Sequence, residues 1–262
     1  MTPRRFFRLL LACFTLTGCA HRIDYGPRGP IHDPHVILDV LQERYARVQS
    51  LRSEGRLSVE SPEGSGSLRI ALEVAKPGCA YLETADFLGN PRGTFATDGE
   101  EFVFFEPGEN VFYAGLASAR LLGRFLPVEL GPEELVALLL GQPPLLEGDE
   151  VRLEVEPEGV YRLDLRRGSI RQRVRVGTRD LRLISVETRG RPAVDVRALE
   201  HRIVEPDLPL PAALELHERR SGTTVRIRLG DPAWNVETDD SLFRLRPPPG
   251  ARVERLEEEG GS

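Results

Sequence analysis

The cysteine at position 19 stands where a thiol could be covalently modified. It follows the small residues Thr17 and Gly18 and an apolar run over 9–16, and residues 1–8 contain three arginines and no acid. A basic start, an apolar run too short to span a bilayer and a small-residue cleavage site predict an export signal. After cleavage the thiol of Cys19 could take a diacylglycerol, and its new amine could take a third acyl chain.

The segment Leu16-Thr17-Gly18-Cys19 resembles the lipobox of bacterial lipoproteins. This resemblance implies that residues 1–18 are a signal peptide and that Cys19 is the lipid attachment site. Two acyl chains suffice for stable anchoring in a bilayer. The alternative is an ordinary secretory signal, or an apolar start of a cytosolic protein, with a chance cysteine. The pair Arg4-Arg5 leaves both Sec and twin-arginine export open.

The histidines and Ser65 could in principle bind a metal or act as a nucleophile, but they lack the neighbouring residues that these roles require. The histidines of the 32–35 segment flank Asp33-Pro34, a helix start that breaks metal-ligand geometry, and no second ligand cluster exists. Ser65 lies between glycines without the strand-turn-helix context of a nucleophile elbow. We therefore predict that the protein is not an enzyme, binds no metal, and carries no cofactor other than the diacylglycerol and N-acyl chain on Cys19.

Composition favours one domain and excludes nucleic acid as a partner. The chain has 262 residues and a net charge of −6; without residues 1–18 it has 32 basic and 41 acidic side chains, a net charge of −9. Such a body is repelled by polyanions. Cys79 is then the one free thiol, which precludes an intramolecular disulfide, and we interpret it as a small core residue in a strand.

The periodicity predicts a mainly β protein with a few helices. Asp33 and Pro34 form a helix start, and apolar residues then recur at helical spacing until about Ser50. From Ser53 the period changes to two, with short strands and Gly/Pro turns up to Leu229. This β pattern is interrupted by a nearly all-apolar helix over 132–140, which should be buried.

Three local patterns resemble the outer-membrane lipoprotein acceptor LolB. They are a strand followed by Thr84–Pro91, an apolar helix ending in Leu140-Gly141-Gln142-Pro143, and a Pro-led strand, turn and strand over 208–236. The segment Asp240–Arg244, followed by prolines, looks more like the carrier LolA. The resemblance covers most of residues 34–250, although this chain is longer in its second half and mixes features of both relatives.

A LolA/LolB-like protein is implied to be a curved antiparallel half-barrel, with helices covering the concave face and an apolar cavity for acyl chains between them. We accordingly expect a lipidated N-terminus and tether at 19–33, the half-barrel domain at 34–249 and an acidic disordered tail at 250–262. Residues that we expect to line the acyl cavity are apolar and lie on strands or on the buried helix: Tyr81, Phe95, Phe102, Phe104, Phe112, Leu135, Leu138 and Leu139. The alternative is that they simply form the core.

The adjacent apolar side chains Phe87 and Leu88 lie in a stretch otherwise made of turn formers. Leu88 matches the position of a leucine that LolB-like proteins carry on a protruding membrane-insertion loop. The alternative is that both fold back into the core, because burying a large apolar side chain stabilises a protein by roughly 1.5–3 kcal/mol.

The resemblance implies a lipid-anchored binding protein on the periplasmic face of the outer membrane. Its expected partners are the acyl chains of lipoproteins or phospholipid, a soluble LolA-like carrier and the outer membrane, into which it would insert lipoproteins. The alternative is an envelope lipoprotein, a scaffold or stress sensor, that keeps the LolB-like fold without transport.

Overall fold

A computed structural model describes residues 22–190 and 193–258. The first half of the chain contains helix α1 (Pro34–Arg47) and the strands β1 (Ser50–Ser61), β2 (Gly64–Ala75), β3 (Cys79–Ala85), β4 (Pro91–Asp98), β5 (Glu101–Glu106) and β6 (Val111–Leu116). Two short helices follow, α2 (Ala119–Leu122) and α3 (Pro132–Leu139). These elements agree with the predicted switch from helix to strands to buried helix.

The second half is a run of further strands: β7 (Glu150–Glu156), β8 (Val160–Arg167), β9 (Ile170–Gly177), β10 (Leu183–Arg189), β11 (Val194–Glu205), β12 (Leu208–Glu218), β13 (Thr223–Leu229), β14 (Ala233–Trp234) and β15 (Arg252–Leu256). Single 3-10 turns occur at Gly26–Arg28 and Asp240–Phe243. Within the described residues no helix combines the length and apolar character needed to cross a bilayer.

All these strands join one open sheet. Its spatial order is β15-β6-β5-β4-β3-β2-β1-β13-β12-β11-β10-β9-β8-β7, with β14 paired to β1. The pairs are antiparallel except for β15 with β6, which is parallel. A twisted sheet of more than about ten strands curls, and this one is curved, as in the predicted fold.

Alternation of side chains produces the apolar face of the sheet. In β2, Ile70, Leu72 and Val74 are buried, whereas Arg69 is exposed. Buried Glu73 breaks the alternation and is held by Arg52, whose Nε lies 2.6 Å from Glu73 Oε2. The polar face of the strands is therefore satisfied by ion pairs while the apolar face receives the helices.

The helices pack against the sheet through two different regions. Ile37 and Leu41 of α1 share a buried cluster with Tyr161 and other residues of β8, β9 and β10. In α3, Val136 shares a second cluster with Phe102 and other residues of the first-half strands. Helix α1 begins as predicted, with the Asp33 carboxylate accepting a hydrogen bond from the His35 N–H at 2.9 Å.

The predicted tether 19–33 is more ordered than expected over its described part. The Ile31 N–H donates to Tyr161 Oη at 2.7 Å, and the Thr178 hydroxyl donates to the Asp24 carbonyl at 2.7 Å. The ring of Tyr25 also packs near that of Tyr161, with centroids 6.1 Å apart. The segment from Asp24 onward is thus docked on the domain.

The predicted disordered tail, 250–262, is wrong over its first half. Residues Arg252–Leu256 form β15, which extends the sheet by pairing with Val111–Gly115 of β6. Asn110 supports this junction, because its side-chain amide donates to the Gly250 carbonyl at 2.9 Å. The acidic run that suggested disorder begins only after this strand, so the ordered domain extends beyond residue 249.

Candidate functional site

An apolar pocket of about 170 Å³ lies between the α3 side of the molecule and strands β9, β10 and β11. The helical side contributes Leu130 and Leu138, and the segment after α3 contributes residues 143–146. The strands contribute four aliphatic side chains, those of Ile170, Val186, Val194 and Val196. The walls are hydrocarbon, so the pocket suits an alkyl group.

Gln172 of β9 fixes the wall formed by residues 143–146. Its Oε1 accepts from the Leu146 N–H at 2.7 Å, and its Nε2 donates to the Pro144 carbonyl at 3.0 Å. Nε2 also lies 3.2 Å from the Thr188 hydroxyl. Gln172 is 6% exposed, and a buried amide with both ends bonded holds its neighbours in one geometry.

A wider groove of about 760 Å³ lies beside this pocket, and Glu134 and Val194 line both. The outer end of the groove is polar, with Glu129, Glu218 and Arg220 among its lining residues. Burial acts to raise the pKa of Glu218, but hydrogen bonds from Ser221 and the Arg220 N–H lower that pKa below its ordinary value. The combined site therefore has an apolar inner end and a charged mouth.

Of the eight side chains expected to line an acyl cavity, Leu138 lines this pocket. Phe95, Phe102, Leu135 and Leu139 belong to a filled cluster beneath α2 and α3. Phe112 is also buried.

The remaining two, Phe104 and Tyr81, are half-buried. The ring of Phe104 packs on Phe125, with centroids 4.9 Å apart, and the Tyr81 hydroxyl donates to Glu83 Oε2 at 3.1 Å. No bound acyl chain tests these assignments, which stay predictions.

The loop between β3 and β4 presents Phe87 and Leu88 to solvent, with 77% and 72% of their surfaces exposed. The Asp86 carboxylate organises this loop from inside. Its Oδ1 accepts from the N–H groups of Leu88 and Asn90, both at 2.9 Å, and its Oδ2 accepts from the side chains of Asn90 and Arg92, both at 2.9 Å. The exposed pair thus sits on a fixed turn.

These hydrogen bonds, led by the side-chain amide of Asn90, lower the pKa of Asp86 to about 2. The carboxylate is charged at neutral pH and accepts all four bonds. The sequence left open whether this pair protrudes or folds into the core, and it missed Asp86, although an aspartate at the start of a turn that contains Gly and Asn is the signal for such a local structure.

Two other sequence-based assignments can be placed only in part. Cys19, the expected lipid attachment site, lies outside the described residues. Cys79 is only partly buried, with its Sγ 3.6 Å from the Asp98 carbonyl. Within residues 22–190 and 193–258, no group of three or more His, Cys, Asp or Glu side chains is arranged to hold a metal ion.

Comparisons with known proteins give matches in structure alone. No protein-family model matches the chain, and no curated protein matches it. A DUF1329-family protein from Desulfovibrio piger has a TM-score of 0.54 at 14% identity, over 81% of this chain and 98% of its own. A LolA-superfamily protein from Nitrosomonas europaea has a TM-score of 0.51 at 13% identity, over 82% of this chain and 99% of its own. The chain therefore has the LolA-like fold that its sequence predicted.

Proposed function

We propose that this protein is a lipid-anchored periplasmic binding protein that holds acyl chains, accepts lipoproteins and inserts them into the outer membrane. One observation carries the proposal: an apolar pocket lies beside a larger groove whose lining includes charged side chains. An acyl chain would occupy the hydrocarbon end, and the polar part of the same ligand would face Glu218 and Arg220. The LolA-like fold supports this assignment by analogy.

In this proposal the helices cover the concave face of the curved sheet. Helix α3 and the segment before it would form the movable side of the cleft, and β9, β10 and β11 the fixed side. Leu138 and Leu130 lie on the helical side, so displacement of α3 would enlarge the pocket without breaking the strand pairs. Acyl transfer by this protein would need no catalysis.

The exposed pair Phe87 and Leu88 would enter the bilayer at the moment of release. Their loop is held by the Asp86 carboxylate. Because the loop is already ordered, insertion into the bilayer would cost little conformational entropy. Cys19 would carry the acyl chains that keep the protein on the periplasmic face of the outer membrane. A soluble LolA-like carrier would supply the lipoproteins.

Native mass spectrometry with an N-palmitoylated peptide tests the acyl-binding assignment. A chain starting at residue 22 avoids the acyl groups expected on Cys19. The wild-type chain should bind the peptide, and Leu138→Trp should lose binding because the indole fills the 170 Å³ pocket. Leu199→Trp is the matched control, since it adds the same indole at a position that is 48% exposed.

Circular dichroism must show that Leu138→Trp is folded, because overpacking costs about 1–3 kcal/mol. A wild-type chain that stays free when peptide is offered would reject the carrier function. Equal binding by wild-type and Leu138→Trp chains would place the acyl chain elsewhere.

The second function, an envelope scaffold or sensor without transport, is favoured by one observation. The apolar pocket by itself, at about 170 Å³, is smaller than the roughly 300 Å³ at which ligand pockets begin, and half of the expected cavity residues pack into a buried cluster instead. A chain that never opens beyond this volume would bind no acyl peptide in the same experiment.

A further inference from the structure

Three arginines lie side by side on the polar face of the second-half strands. Arg171 of β9 is paired directly with Arg166 of β8 on one side and with Arg189 of β10 on the other. Their strand neighbours Leu165 and Gln172 are buried on the apolar face, so the arginines point to the opposite side. Directly opposed residues have Cβ atoms about 4.5–5.5 Å apart, and like charges there destabilise a sheet.

The adjacent row of the same strands shows how such charges are normally balanced. There Arg152, Asp164, Arg173 and Glu187 follow one another across β7, β8, β9 and β10, so that the signs alternate. Arg173 Nε lies 2.8 Å from Asp164 Oδ1. The arginine row lacks this alternation although it is only two residues away along each strand.

The arginine row has few internal partners; one of them is the Gly168 carbonyl, to which Arg166 Nε donates at 3.4 Å. The one acid in line with it, Glu150 of β7, lies 3.9 Å from Arg166 Nη1, and both side chains are more than half exposed. Among residues 22–190 and 193–258, no hydrogen bond or ion pair is made by the side chains of Arg171 and Arg189. All three arginines line a groove of about 420 Å³. The guanidinium groups therefore face a space large enough for a ligand.

We propose that this row binds the phosphate group of a phosphate monoester. Three arginines and Glu150 give the row a charge of +2, and a phosphate monoester carries about −1.5 to −2 at pH 7 with three strong acceptor oxygens. A carboxylate has one charge and two oxygens and would leave the row under-neutralised. The planar fork of arginine matches phosphate oxygens in pairs.

The rest of the groove indicates what the phosphate is attached to. Its other charged lining residues are Arg152 and Arg173 against Glu154, Asp164 and Glu187, a net charge of −1. Because this part of the groove is acidic, it favours a phosphate ester whose remaining part carries hydroxyl or amino groups over one that carries a second anion. Both a free polar phosphate ester and a phospholipid headgroup with a terminal phosphate have this chemistry.

This site lies on the opposite face of the sheet from the acyl cleft, with Gln172 lining both spaces, and it lies away from the N-terminal segment. The arginines occupy the face opposite to the one that buries Val174 and Val186. The N-terminal segment docks at the other end of β9, through Thr178, and six residues of strand from Arg171 to Gly177 span about 20 Å. Loss of acyl binding would thus leave the arginine row untouched, and the two proposals can fail independently.

The test is binding of inorganic phosphate and glycerol 3-phosphate to the full-length protein in a non-ionic detergent, at constant ionic strength set with chloride. Isothermal titration should detect binding, and the ligands should raise the melting temperature above that in chloride alone. Arg171→Gln should weaken binding about tenfold or more, since hydrogen bonds to a charged group are lost. Without ligand, Arg171→Gln should melt at the same or a higher temperature, because like-charge repulsion is relieved.

Arg175→Gln is the matched control, because Arg175 lies on the same strand as Arg171, pairs with Glu156 and does not line the groove, so this variant should keep wild-type affinity. Binding of short-chain phosphatidic acid, compared with binding of phosphatidylcholine in the same detergent, distinguishes a lipid headgroup from a free phosphate ester as the ligand. Binding of phosphatidic acid but of neither soluble ligand, sensitive to Arg171→Gln, would assign a lipid headgroup. Absence of binding by every phosphate ligand, or equal losses in Arg171→Gln and Arg175→Gln, would overturn the proposal.

Discussion

Replacing Phe87 and Leu88 together with serine should weaken binding of the chain to lipid vesicles while leaving its stability unchanged. Both side chains are largely exposed, at 77% and 72%, and their loop is held by Asp86 through backbone and polar contacts. Removing them takes nothing from the core. Surface substitutions of this kind change the free energy of unfolding by about 0.5 kcal/mol or less.

The size of the effect follows from the exposed fractions. Full burial of a Phe or Leu side chain is worth about 1.5–3 kcal/mol. About three quarters of each side chain is still exposed, so insertion of both into a bilayer gains roughly 2 to 4.5 kcal/mol. At 1.4 kcal/mol per factor of ten, the double variant should lose roughly 30- to 1,600-fold in the vesicle partition coefficient.

Co-sedimentation with phosphatidylcholine vesicles measures this coefficient for chains starting at residue 22, which lack Cys19. Leu116→Ser is the matched control, because Leu116 is 64% exposed but lies at the end of β6. Equal partitioning of the wild-type and double-variant chains would refute the membrane role of the loop. A melting temperature lowered as in a core variant would show that the pair packs inside the protein.

Three further predictions concern the supports of the site. The stabilisation provided by Asp86 should be complete above its ordinary pKa of 3.8 and lost as the pH falls through about 2, so the amide shifts of its loop should titrate near pH 2 by NMR. Gln172→Leu should lower the free energy of unfolding in urea by about 1 to 3 kcal/mol, because two partly buried hydrogen bonds, one to the Pro144 carbonyl and one from the Leu146 N–H, are lost. Tyr161→Phe removes the acceptor of the Ile31 N–H, which should cost about 1 kcal/mol and speed tryptic cleavage of the N-terminal segment.

Each of these has a clear opposite result. Loop shifts that titrate near 3.8 would mean that the Asp86 hydrogen bonds do not favour the charged form. A Gln172→Leu variant as stable as wild type would mean that residues 143–146 are held by packing alone. Unchanged cleavage in Tyr161→Phe would leave the Thr178 contact as the main attachment of the segment.

The fold was predictable because its signals are local. Alternation in β2 and the Asp33-Pro34 helix start both depend on residues a few positions apart, and both are confirmed. The pairing of β1 with β13 depends on residues far apart, and no local pattern reports it. Strand β15 was missed because its charged residues, such as Arg252 and Glu254, resemble those of the acidic run that follows.

The site was predicted less well than the fold. Aromatic residues such as Phe102 are attractive as cavity walls, but their volume also makes them efficient at filling a core. The pocket is instead lined by aliphatic residues such as Val186 and Val194, whose pattern along the chain is that of any buried strand. The packing of the helices on the sheet decides which buried strand lines a pocket. No periodic pattern in the sequence reports that packing.

The position of β1 in the sheet has a consequence during synthesis. Strand β1 is synthesised before the other strands, yet it lies at the centre of the sheet and pairs with β13. Gly55 of β1 can pair with Leu229 only after a further 174 residues have been synthesised. At about 5–20 residues per second that wait is roughly 9 to 35 s. The two halves cannot lock together until nearly all of the chain has been translated. Until then the edge of β1 that pairs with β13 has no partner, and an unpaired strand edge is a template for aggregation.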